Sequence, residues 1–128
     1  MTSSGKITKE TTILCIGHLP GHINQKVALL KNEGFSNAIP IVFSQTTMEA
    51  VKQLIKSSPP GTLFLAGGAM ESTYPEATIE LYNFIAKEAP EMIIHKVSFA
   101  DFPEGTKPPV SADIVAQAAV RVALKMLE

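Results

Sequence analysis

Two histidines four residues apart bracket a Pro-Gly step in the segment Gly17-His18-Leu19-Pro20-Gly21-His22. Imidazole titrates near neutrality, so His18 and His22 are the candidate catalytic pair: each can serve as acid, base, metal ligand or donor to an anion. A second segment, Gly67-Gly68-Ala69-Met70-Glu71-Ser72-Thr73, joins two glycines to a carboxylate and two hydroxyls. Glycine lets a backbone approach a ligand closely and present its N–H groups. Gly17, Gly21, Gly67 and Gly68 are therefore the candidate backbone contacts, and Glu71, Ser72 and Thr73 the candidate side-chain contacts. The competing reading of Ser72 and Thr73 is that one of them caps the next helix, with Glu76 closing the box. Asp101, further along, joins the set if its loop converges on the same mouth, whereas His95 sits inside an apolar run and reads as structural. A metal centre needs a third ligand, which only Asp101 or Glu71 can bring, so no metal is expected, and no cofactor is identified.

These residues act together only if the elements carrying them bring them to one place. Ile13-Leu14-Cys15-Ile16, Ala38 to Phe43, Leu63 to Ala66 and Met92 to Phe99 are apolar runs of strand length. Between and after them lie stretches of helical periodicity: Gln25 to Glu33, Thr47 to Ser57, Pro75 to Ala89 and Ala112 to Leu127. Asn24 is the expected cap of the first helix, and Gly34 followed by Phe35 its left-handed stop. Thr46 and Glu49 have capping-box spacing for the second, and Ser111 is the natural cap of the last. The alternation of strand and helix predicts a three-layer α/β/α sheet, all parallel, of reduced flavodoxin-like or Rossmann-like type.

Proline removes a ladder donor and is tolerated at edges, so Pro40 puts the second strand at one edge. His95, Lys96 and Ser98 put the fourth at the other. The order is then 2-1-3-4, with 3-2-1-4 ranked second because it buries Pro40. In an open parallel sheet ligands bind beyond the carboxyl ends of the strands where crossovers diverge, here between strands one and three. The two glycine-bearing segments are the loops at that point. The long connection Ala100 to Pro109 is either a lid over it or a stiff connector.

At 128 residues and 45% hydrophobic the chain fits one domain, expected over 11–128 behind a loose polar tail at 1–10. No apolar run approaches the roughly 20 residues that span a bilayer. No secretion-type h-region precedes the first strand, and the lone Cys15 falls in a core strand, so a cytoplasmic protein is expected with no membrane partner. Eleven basic residues against 12 acidic give a net charge of -1. Arg121 is the one arginine. The lysines, including Lys26, Lys31, Lys52, Lys56, Lys87 and Lys125, are scattered and read as solvated helix faces, so no nucleic-acid partner is expected.

Known fingerprints are mostly excluded. No Gly-Lys-Ser/Thr loop follows a strand, and Gly17 and Gly21 do not have G-x-G-x-x-G spacing. The strands that would carry a receiver domain's acids end at Gly17 and Gly67. His18-Leu19-Pro20-Gly21 has the H-x-x-G spacing of cobalamin-binding domains, but Ile16 stands where they carry aspartate. No family is identified. In the last helix Asp113, Gln117, Arg121 and Lys125 form one polar stripe, and the rest is apolar around Ala112, Ala116, Ala119 and Ala123. That is more than one sheet face needs, which predicts a homo-oligomer through residues 112–127. Two functions follow. One is a small-molecule site for an anionic or nucleotide-like ligand, with or without catalysis. The other is a structural or regulatory subunit that assembles through its last helix and has no catalysis.

Overall fold

The computed structural model describes residues 6–127 and holds a four-stranded, all-parallel sheet. Its strands are β1 (Ile13–Gly17), β2 (Ala38–Val42), β3 (Leu63–Gly67) and β4 (Ile93–Val97). The order is β2-β1-β3-β4, as Pro40 and the mixed composition of β4 require. Pro40 pairs in register with Cys15 on β1 alone and is exposed. The described residues also form five α-helices: α1 (Pro20–Asn32), α2 (Met48–Ser57), α3 (Gly68–Thr73), α4 (Pro75–Glu88) and α5 (Ala112–Lys125). The result is a flavodoxin-like α/β/α sandwich.

Alternation along the central strands divides the core in two. Ile13, Cys15, Leu63 and Leu65 point to the layer of α1 and α5. Leu14, Ile16, Phe64 and Ala66 point to the layer of α2 and α4. Both faces of β1 and β3 are covered, so both strands are apolar throughout. α1 and α5 also pack closely against each other, with Ala116, Ala119 and Ala123 of α5 fully buried inside the chain. The alanine ridge that the sequence assigned to a twofold partner is thus covered by α1, and Leu124 is left exposed on the outer side.

Four local expectations shift. α1 starts at Pro20 rather than Gln25, with Leu19 at the N-cap and proline in the first turn. Proline lacks the N–H that a first helical residue has no use for, so it starts a helix as readily as it ends one. Asn24 therefore caps nothing. The turn before α2 is capped at Ser44, whose N–H donates to Thr47 Oγ1 at 2.9 Å, and not at Thr46. The segment after β3 is itself helical as α3, so Ser72 and Thr73 do not cap α4; Tyr74 stands at that position. Finally, residues 6–10 of the expected loose tail are held. Ile7 is 1% exposed and bridges to Leu127, and the Lys9 ammonium reaches the Glu33 carbonyl and the Phe35 ring. The remainder of that tail, residues 1–5, lies outside the described residues.

Other signals read as expected. Gly34 has φ +99° and Phe35 folds back to bond Leu30. Ser111 Oγ accepts from the Ile114 N–H at 3.2 Å.

Candidate functional site

The crossovers from β1 and from β3 leave on opposite faces of the sheet, and a cleft of about 530 Å³ opens between their carboxyl ends. Gly17 and Gly67, the last residues of the two strands, lie at its base. His18, His22 and the first turn of α1 form one side; Gly68, Ser72 and Thr73 of α3 form another. Val97 and Val115 contribute apolar wall, and the loop after β4 adds Phe99, Phe102, Pro108, Pro109 and Val110. That loop is therefore part of the site whether or not it moves.

Seven of the ten expected site residues meet here, and three do not. Gly21 is exposed on the outside of the first turn, with open space where a side chain would be. Glu71 points away to Lys96, 3.4 Å off. Asp101 is occupied elsewhere: its Oδ2 accepts from the Ser98 N–H at 3.0 Å and lies 3.1 Å from His95 Nε2. Both carboxylates proposed for the mouth are thus absent from it.

The residue that sequence reasoning missed is Lys26. It stands on α1 one turn beyond His22 and is 2% exposed, among the most buried large side chains of the chain. Ile23, Val27 and Leu30 are the other buried residues of α1, and their spacing places Lys26 inside the apolar arc. Its ammonium head borders the cleft beside the end of β3: a Cβ on Gly67 would lie 3.9 Å from Nζ. No hydrogen bond or ion pair holds that head among the described residues. Burial away from water pushes the Lys26 amine below its ordinary value of 10.5, only partly opposed by the neighbouring Cys15. Cys15 itself, in the core of β1, is pushed up to about 12 by burial and is an inert thiol at neutral pH.

The two histidines differ in how they are held. His18 Nε2 lies 3.3 Å from Thr73 Oγ1, which links α3 to the start of α1. Its ring stands edge-on to Tyr74 with centroids 6.0 Å apart. His18 Nδ1 is buried without a partner. His22 is lowered from 6.5, first by burial and then by the positive charges of Lys26 and His18, so it is a neutral imidazole at neutral pH. α1 adds to this field, because its first turn carries no acidic residue and no side-chain cap. Its uncapped amides leave the positive end of the dipole uncompensated.

Among the described residues, every ionisable side chain lining the cleft is thus a base, and no aspartate or glutamate lines it. No cluster of three metal-ligating side chains occurs among the described residues, and none of their helices is long and apolar enough to cross a membrane. No protein-family model, curated protein or solved structure matches the chain, so the cleft's own residues are what speak for its chemistry.

Proposed function

We propose that the cleft binds a small organic anion with an apolar body, and that Lys26 supplies the opposing charge. One observation carries this reading: three bases, His18, His22 and Lys26, face one cavity without a carboxylate among its described lining residues, and the most buried of them has no partner among the described residues. An unpaired ammonium in a low-dielectric site costs several kcal/mol, and an anion entering the cleft offsets that cost. The first turn of α1 acts in the same direction. The walls Val97, Phe99, Phe102 and Val115 favour an apolar body over a second charge. His22, neutral and one turn from Lys26, is placed to accept or return a proton, so the site is equipped for acid–base chemistry as well as for binding.

Thermal unfolding with a matched set of ligands tests the reading: phenylacetate, its amide, phenethylamine and AMP. Phenylacetate is expected to stabilise the protein, by about 2.7 kcal/mol at a hundredfold excess over its Kd. The amide stabilises less and the amine not at all. AMP matching phenylacetate makes the ligand nucleotide-like rather than a simple acid. Equal shifts with the amine and the acid overturn the proposal, as does a full phenylacetate shift in Lys26→Met.

A further inference from the structure

The Lys26 head is not placed like a residue whose only work is to neutralise a ligand. The amine is buried on the apolar face of α1, beneath a cavity walled by Val97 and Phe102. Among the described residues no hydrogen-bond acceptor holds its protons. Gly67 beside it has no side chain, and a Cβ there would stand 3.9 Å from Nζ. The nitrogen thus borders the cleft where β3 ends. A neutral imidazole, His22, sits one helical turn away on the same side. An amine bordering a largely apolar cleft with an adjacent proton carrier is what nucleophilic catalysis by lysine requires.

We propose that Lys26 is a nucleophile that condenses with the ketone carbon of a 2-oxo acid to form an imine. The proposal rests on the anion-binding reading, because the first turn of α1 and His18 are what would hold the carboxylate while the adjacent carbonyl faces Lys26. The Nζ lone pair adds to the carbonyl carbon as the C=O π bond breaks. His22 takes a proton from the nitrogen and returns it to the oxygen, giving a carbinolamine. The C–O bond then breaks, the hydroxyl leaves with a proton as water, and the nitrogen lone pair completes C=N. Nothing is oxidised or reduced, and one water is released per imine. Burial lowers the Lys26 amine from its ordinary value, which raises the fraction that carries a free lone pair relative to a surface lysine.

The experiment is reductive trapping on the intact protein. Phenylpyruvate is added at neutral pH, followed by sodium borohydride, and the product is weighed and peptide-mapped; phenyllactate, which has the carboxylate but no ketone, is the control. The expected result is one adduct per chain on Lys26, with a mass gain equal to the oxo acid less one oxygen atom. Lys31, Lys56, Lys87 and Lys125, all exposed, stay at least tenfold less labelled. Lys26→Arg keeps the charge and loses the adduct; if that variant fails to fold, the map of the wild-type chain still decides. Label spread evenly over the surface lysines, or none on Lys26, overturns the proposal. If phenylpyruvate and phenyllactate then raise the melting temperature equally, the anion site survives and only the nucleophile is lost. If neither acid shifts it, both readings fall together.

Discussion

Two grooves flank the loop after β4, and they treat their polar groups in opposite ways. In the first, of about 440 Å³, His95 and Asp101 pair at 3.1 Å, and Arg121 donates to the Asp101 carbonyl at 2.8 Å. The Ser98 N–H completes the set at 3.0 Å. His95, Asp101 and Arg121 each have a partner there, and together they fasten the loop to α5. In the cleft at β1 and β3, no hydrogen bond or ion pair holds the Lys26 head among the described residues, and the buried Nδ1 of His18 has no partner among them either. A satisfied network accounts for itself as structure, whereas an unsatisfied buried base is a cost that folding alone does not explain. On the proposed reading, the difference separates a histidine and a cation used as fastening from a pair left available to a ligand.

The contrast breaks most visibly at Lys26. Lys26→Met is expected to cost phenylacetate binding roughly 2–5 kcal/mol, read by calorimetric titration. The same variant is expected to gain stability, on the order of 1–4 kcal/mol, because an unpaired buried charge gives way to apolar packing. Loss of stability together with retained binding would place Lys26 on the structural side. At the paired groove the signs reverse. Asp101→Ala strands the Ser98 N–H and frees the loop, at about 1–2 kcal/mol in urea unfolding, while phenylacetate binding stays within twofold of wild type.

Gly34→Ala, at the far end of α1, forces an L-residue to φ +99° and is expected to cost about 1 kcal/mol with binding untouched. Smaller still is the pH dependence. Lys26 and His22 are both lowered in the folded state, so the unfolded chain binds more protons and stability rises with pH through each window. For His22 the rise ends near its ordinary 6.5, and for Lys26 near 10.5. Urea midpoints across pH are expected to lose the upper rise in Lys26→Met and the lower one in His22→Gln. Unchanged profiles would contradict the burial argument.

The sheet was legible because its rules are strong and local. Proline at position 40 cannot sit mid-sheet, His95 and Lys96 cannot be buried on both faces, and four apolar runs leave one order and one switch point. The cleft was legible to the same degree, since Gly17, His18, Gly67 and Gly68 follow directly from where β1 and β3 stop. Lys26 was not, because lysine on a helix is ordinarily solvated and its type was weighed ahead of its spacing. Its place among Ile23, Val27 and Leu30 was the available signal. Glu71 and Asp101 lie off the cleft for a related reason: a carboxylate near a mouth turns away once Lys96 or His95 offers it a closer partner. α3 went unread because six residues carry too little periodicity, and Ile7 because its contact with Leu127 spans nearly the whole chain.

The central claim is that Lys26 is an unpaired amine facing the cleft, and carbon-13 NMR of the Lys26 ε-methylene against pH measures this directly. The account predicts titration clearly below 10.5 in the free protein, moving up when phenylacetate is bound, since an anion favours the ammonium. Titration at the ordinary lysine value, unmoved by phenylacetate, would contradict it.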